Sequence, residues 1–263
     1  MRLLALLFLP LLALISATAR AEPVSIPASS THRGGALALP GDLRLPEGTG
    51  PHPAVVLIHG CAGLTPPVVE GLARHARALN AAGFATLVLD SFGPRELAGG
   101  TVCQSFDRLA DARRYRLRDV EDARAFLDAQ PAIDGRNIFL MGQSNGGSVA
   151  IRASQRERRS FRAIAAYYPW CGAFLRMGAK AELSTPLIVF GGTADDWVPP
   201  DACTTIEAKG APYAVHVYDS APHSFDLPIP QQRYLGKLVG YDAEADRDAR
   251  ARMIAFFRSQ MGS

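Results

Sequence analysis

Long hydrophobic runs are scarce in this chain. The longest, Leu3 to Ile15, covers about 13 residues, short of the roughly 20 that a membrane-spanning helix needs, so it does not read as a membrane anchor. An excess of charge of one sign is also missing, since 28 Lys and Arg stand against 25 Asp and Glu. That balance offers no electrostatic footprint for nucleic acid or an anionic membrane as partner. Cysteine is sparse, four residues in all, with no C-x-x-C pair and no Cys/His cluster at metal-ligand spacing. No zinc site is therefore expected, and no other metal or cofactor. Internal repeats and low-complexity linkers are absent as well, and 263 residues with 48% hydrophobic content suffice for one substantial core.

What is present begins with an export signature. Met1-Arg2, the apolar run and the small residues ending in Ala19-Arg20-Ala21 have the charge, greasy segment and A-x-A site of a secretory signal peptide over residues 1–21, with cleavage after Ala21. Its removal takes Arg2 and Arg20 away and leaves 26 basic against 25 acidic side chains. The mature protein is then expected in the periplasm or outside the cell, without membrane insertion. In that oxidising setting Cys61, Cys103, Cys171 and Cys203 form two disulfides in one of three pairings. Residues 22–34, polar and containing Pro and Ser, read as a loose lead-in, and a single domain is expected over 35–263. The sequence is silent on oligomeric state.

Within that domain, Ala36 to Leu39 and Leu43 to Leu45, split by Pro40-Gly41, suggest a short antiparallel pair. The periodicity then changes. Ala54 to Ile58 is a continuous apolar run, the pattern of a strand buried on both faces of a parallel sheet. Similar runs recur at Phe84 to Leu89, Ile138 to Met141, Ala163 to Tyr167, Leu187 to Phe190 and Ala214 to Tyr218. Helical patterns lie between most of them and after the last, at Val68 to Ala82, Asp107 to Ala129, Ser144 to Gln155, Pro200 to Lys209 and Asp242 to Gln260. This alternation predicts an α/β fold, one mostly parallel, doubly wound sheet of about seven to eight strands with helices on both faces. The cluster Arg113, Arg114, Arg116 and Arg118, interleaved with Asp111, Asp119, Glu121 and Asp122, reads as a solvated helix face with paired charges.

In open sheets of this kind ligands bind outside the carboxyl ends of the strands, so the residues just after each run are the place to look for chemistry. After Ile138 to Met141 comes Gly142-Gln143-Ser144-Asn145-Gly146-Gly147, a G-x-S-x-G in the strand–turn–helix context of the nucleophile elbow of the α/β-hydrolase fold. A serine hydroxyl is a poor nucleophile without a base, and the base needs an orienting acid. Asp195 and its neighbour Asp196 follow Leu187 to Phe190, and His223 follows Ala214 to Tyr218. The order Ser, Asp, His is the one this fold uses. Asp195 is preferred as the acid, with Asp196 the alternative. Among the other histidines, His59 suits loop shaping and His216 lies within a strand. Asp90 reads as structural or pocket-lining. The amides of Asn145, at a helix start, and Cys61, in the turn after Ile58, are the expected oxyanion donors. Tyr168, Trp170, Trp197 and Phe225 adjoin strand ends and suggest an aromatic pocket wall, and Arg95 is a candidate contact for a substrate carboxylate.

These segments resemble the dienelactone hydrolase family, specifically exported members. The match runs from the His59-Gly60 turn through Asp90-Ser91-Phe92-Gly93-Pro94-Arg95, the elbow, Tyr168-Pro169-Trp170-Cys171 and the loops of Asp195 and His223. The namesake enzymes carry cysteine where this sequence has Ser144, so the resemblance implies hydrolysis of a small-molecule carboxylic ester or lactone through an acyl-enzyme on serine. It also implies the pairings Cys61 with Cys103 and Cys171 with Cys203. An acyltransferase or peptidase with the same triad, or a binding protein on the same fold, are the alternatives.

Overall fold

The computed structural model describes residues 21–97, 99–175 and 180–262; apart from Ala21, the expected signal segment lies outside the described residues. In chain order the elements are β1 (Glu22–His32), β2 (Gly35–Arg44), β3 (His52–Ile58), α1 (Pro66–Ala81), β4 (Ala85–Leu89), α2 (Phe106–Asp128), β5 (Ile133–Gln143) and α3 (Asn145–Ser154). There follow β6 (Ile164–Tyr167), α4 (Gly172–Leu175), β7 (Lys180–Leu183), β8 (Leu187–Gly192), α5 (Asp201–Thr204), β9 (Glu207–Gly210), β10 (Tyr213–Tyr218), β11 (Gln232–Tyr234), β12 (Lys237–Val239) and α6 (Ala243–Ser259).

Eight strands form the central sheet in the order β1-β2-β4-β3-β5-β6-β8-β10, parallel from β4 to β10, with the antiparallel β1 and β2 at one edge. The apolar run Ala54 to Ile58 is buried throughout because its two sets of alternating side chains meet two cores. Val55 and Leu57 pack with Leu72, Leu79, Met253 and Phe257 of α1 and α6, whereas Val56 and Ile58 pack with Val120, Leu127, Val149 and Ala153 of α2 and α3. This is the α/β-hydrolase arrangement, with helices on both faces. No helix among the described residues is long and apolar enough to cross a membrane.

Four expectations are corrected. Residues 22–32 are not a loose lead-in but strand β1, paired residue by residue with β2 from Glu22↔Leu43 to His32↔Gly35 across one register shift. Pro23 and Pro27 fit there because an edge strand has one row of amides without a ladder partner, and Ile26 and Leu39 are fully buried beneath the pair. Pro40-Gly41 is not a turn. It lies inside β2, where Gly41 lets β4 approach so closely that an added Cβ would sit 2.8 Å from Leu87 Cδ1. The helix expected over Pro200 to Lys209 is one turn, α5, followed by β9, which pairs with β7 outside the main sheet. Finally, the Arg113–Arg118 stretch is not uniformly solvated, since Arg116 and Asp119 are completely buried.

Candidate active site

The elbow starts from steric necessity. Ser144 sits at φ 51° and ψ −112°, a backbone that L-residues seldom adopt. Its neighbours make room for it. A Cβ on Gly142 would stand 2.2 Å from Gly146 O, and one on Gly146 would stand 2.6 Å from His59 O. With both glycines bare, β5 turns directly into α3 and Ser144 projects above the strand ends. Gly60 packs onto it from the β3 turn, where an added Cβ would lie 3.2 Å from Ser144 Cβ.

Three side chains from separate strand ends then meet. His223 Nδ1 lies 2.7 Å from Asp195 Oδ2, and His223 Nε2 lies 3.0 Å from Ser144 Oγ. A carboxylate can only accept, so Nδ1 donates to Asp195 and Nε2 is left to accept the serine proton. Asp195 is itself held by the amides of Trp197 and Val198, both 2.9 Å from Oδ1, and both it and His223 are buried. Asp196 points elsewhere. It is solvent-exposed and accepts from Arg233 at 2.9 Å and from the Leu238 amide at 2.7 Å, tying the loop to the β11–β12 hairpin.

Asn145 is the first residue of α3, where backbone N–H groups have no partner inside the helix, and Cys61 follows Gly60 in the turn against Ser144. One buried guanidinium joins these two segments. Arg116 donates from Nη1 to Asn145 Oδ1 at 2.9 Å and from Nη2 to the His59 carbonyl at 2.6 Å, and burial lowers its pKa to about 10. His59 is also sealed from solvent, with Nδ1 2.7 Å from Gly60 O. Burial, reinforced by the Arg116 charge, pushes its pKa well below the usual histidine range. Asp90 caps the Phe92 and Gly93 amides at 2.9 Å each, a structural role.

A second polar cluster lies directly under the His223 loop. Asp226, fully buried, accepts from His75 Nε2 at 2.7 Å, Gln143 Nε2 at 2.7 Å and Tyr168 Oη at 2.5 Å. Burial alone disfavours its charge, but the His75, Tyr168 and Gln143 donors outweigh that and hold the carboxyl below the usual range. Burial, and then the Asp226 charge, raise the Tyr168 phenol well above its ordinary value. Sequence reasoning missed Arg116 and this cluster. For Asp226 a local signal existed, its position three residues after His223, but its partners on α1, at the end of β5 and just after β6 are visible only in three dimensions.

Two hollows open beside Ser144 and share Cys61, Cys103 and Trp197 as walls. The larger, about 870 Å³, runs along α2 past Phe106, Leu109 and Arg113 to Trp170. The smaller, about 330 Å³, is lined by His223, Tyr168, Val68, Leu227, Ile229 and Val239. Trp170, Trp197 and Tyr168 thus do border the site. Phe225 does not: it is wholly buried in the core against Tyr167, Tyr168 and Tyr218. Arg95 is also corrected as a substrate contact. Its guanidinium grips Asp119 at 2.8 and 2.9 Å, donates to Ser91 O and Ser30 Oγ, and lies 4.1 Å over the Tyr115 ring, so both terminal nitrogens are committed inside the protein. Disulfides join Cys61 to Cys103 and Cys171 to Cys203, the pairings the resemblance implies, and they fit an extracellular or periplasmic protein. Among the described residues no group of three or more His, Cys, Asp and Glu side chains is arranged to hold a metal ion.

Fold and strand-end loops together define an α/β-hydrolase. The family model of the dienelactone hydrolase family matches residues 39–261, and the chain belongs to that family of hydrolases. Among solved structures it is similar to a dienelactone hydrolase-like promiscuous phosphotriesterase from metagenomic libraries (TM-score 0.69, 22% identity, 93% of this chain and 100% of that one). It is similar also to a dienelactone hydrolase from Anabaena variabilis (0.58, 17%, 92% and 98%) and to an esterase from Pyrococcus furiosus (0.63, 16%, 93% and 94%). At these identities the likeness is one of fold. An uncharacterized 31.7 kDa protein of the traX-finO intergenic region of Escherichia coli is 32% identical over 116 residues, 44% of this chain and 37% of its own length.

Proposed function

We propose that the protein is an exported serine esterase, made as one catalytic domain behind a signal peptide over residues 1–21, that cleaves carboxylic esters or lactones through an acyl-enzyme on Ser144. The observation that carries this reading is the continuous chain Asp195 Oδ2, His223, Ser144 Oγ with contacts of 2.7 and 3.0 Å. His223 Nε2 takes the hydroxyl proton as Ser144 attacks the carbonyl carbon, and Asp195 stabilises the imidazolium and fixes its tautomer. The amides of Cys61 and Asn145 receive the oxyanion. Collapse of the tetrahedral intermediate breaks the ester bond, and the departing oxygen takes the proton from Nε2. Water, deprotonated by His223, then attacks the acyl-enzyme, releasing the acid and restoring Ser144.

The test is hydrolysis of p-nitrophenyl acetate by the mature protein beside Ser144→Ala and His223→Ala, with fluorophosphonate labelling as a second readout. Loss of several orders of magnitude in kcat for both variants, with labelling of the wild type confined to Ser144, is the expected result. An inert wild type that also escapes labelling overturns the reading.

A further inference from the structure

The two hollows beside Ser144 differ in size, lining and in which reacting group they adjoin, and that difference constrains the substrate. Building on Ser144 as the nucleophile, we propose that the enzyme takes esters joining a compact apolar alcohol to a bulky, uncharged, apolar acid. The alcohol occupies the smaller hollow and the acyl group the larger.

Orientation follows from the proton. The departing oxygen must be reached by His223 Nε2, so the alcohol leaves on the histidine side of Ser144. His223 and Ser224 line the smaller hollow, whereas the larger one is bounded instead by Asn145, Ser148 and Cys171. About 330 Å³, walled by Val68, Leu227, Ile229 and Val239, suits an alcohol of single-ring size and no long chain. The larger hollow, about 870 Å³, has an apolar mouth. Phe106 at its rim is 89% exposed, with Leu235 and Trp170 exposed beside it. Apolar side chains gathered around one opening mark a surface on which an apolar ligand is desolvated.

Charge settles the rest. Two cations border the larger hollow, and each has a partner: the Arg113 guanidinium lies 4.8 Å over the Trp170 ring, and Lys237 Nζ donates to the Asp196 carbonyl at 2.8 Å. Asp107 and Asp201 face the same space. Arg95, the arginine expected to meet a carboxylate, is locked to Asp119. Two acids thus offset the two cations, and an acyl group carrying its own carboxylate meets no net positive charge among the described residues lining this hollow.

The experiment measures kcat/KM for three sets of substrates. For p-nitrophenyl esters it should rise at least about tenfold, or about 1.4 kcal/mol, from acetate to octanoate, and fall at least about tenfold from butyrate to the hemisuccinate, which carries a free carboxylate. Among octanoate esters, benzyl should exceed dodecyl by a similar factor. Two half-buried positions then separate the hollows. Ala110→Trp, on the α2 wall, should cut the octanoate-to-acetate ratio about tenfold, and Ile229→Trp should cut the benzyl-to-methyl ratio about tenfold, each sparing the other ratio. Flat profiles, a preference for the hemisuccinate, or the two variants acting on the opposite series overturn the proposal while leaving Ser144 as nucleophile. If no ester turns over and fluorophosphonate does not label Ser144, the reading beneath it fails and this one with it.

Discussion

Asp195 and Asp196 carry the same side chain one peptide apart, yet their surroundings give them opposite work. Asp195, buried and gripped by two amides, presents one oxygen to His223; Asp196, exposed, braces a hairpin. Asp195→Asn should lower kcat by about 10³- to 10⁴-fold, because an amide oriented as acceptor or donor no longer enforces the tautomer with Nε2 free to take a proton. Asp196→Asn should change kcat by less than about threefold, as expected for an exposed ion pair. Steady-state rates of the two variants decide between them. Sequence position after β8 put both acids at the site and left Asp196 open beside the preferred Asp195, since the difference lies in the loop hydrogen bonds from the Trp197 and Val198 amides. Arg116 was illegible for a related reason. Beside Asp119 at helical spacing it looks like any surface pair, and its burial comes from the way α2 packs under the elbow. Arg116→Met removes two charged hydrogen bonds at once, which at about 1.5–3 kcal/mol each should lower stability by a few kcal/mol. It should also slow kcat at little cost in KM, since Asn145 and the His59 turn lose their common tether. Lysine at this position, reaching one partner, should recover part of both losses in melting and rate measurements.

At the scale of elements, two disulfides fasten the active-site loops from outside the sheet. Each closes a loop of similar length, 42 residues for Cys61–Cys103 and 32 for Cys171–Cys203, so chain entropy assigns each about 4 kcal/mol of stabilisation. Their catalytic effects should differ. Cys61 carries one of the proposed oxyanion amides, so replacing Cys61 and Cys103 by serine should lower kcat about tenfold, worth about 1.4 kcal/mol of transition-state stabilisation. Replacing Cys171 and Cys203 should cost comparable stability with a smaller effect on rate. Thermal melts and kcat for the two double variants separate tethering of the chain from placement of the amide. The elements most readable in sequence were those whose burial repeats along the chain: β3, β4, β6, β8, β10 and the helices α1, α2, α3 and α6 fall within two residues of expectation, while β5 starts five residues before the expected Ile138. Those misread depend on partners far away. β1 is a strand because β2 pairs with it, Gly41 sits in a strand because β4 presses on it, and β9 ends what looked like a helix because β7 lies alongside.

For the whole molecule, buried titratable groups fix the pH range in which the fold is most stable. Burial holds His59 well below the ordinary histidine value, with Arg116 adding to the effect, and His216 is lowered too, chiefly by desolvation. In the unfolded chain both titrate near 6.5. As pH falls below about 6.5, unfolded molecules therefore bind protons that folded ones refuse, and stability declines by about 1.4 kcal/mol per pH unit for each proton difference. His59, fully enclosed, contributes the larger share; His216, partly open to solvent, adds a screened remainder. At the alkaline end burial raises Tyr115 to about 12 and lifts Tyr167, Tyr168, Tyr213 and Tyr218 above their ordinary value. Above about pH 10 the unfolded chain then sheds protons that the folded one keeps, and stability falls again. Urea unfolding between about pH 5 and pH 8 tests the acid limb, where histidines titrate and most carboxylates do not. The wild-type unfolding free energy should drop steadily below about pH 6.5, and in His59→Gln that slope should shrink by close to one proton's worth. An unchanged slope in the variant would mean that the proton is taken up elsewhere and that His59 is not the group that sets the acid limb.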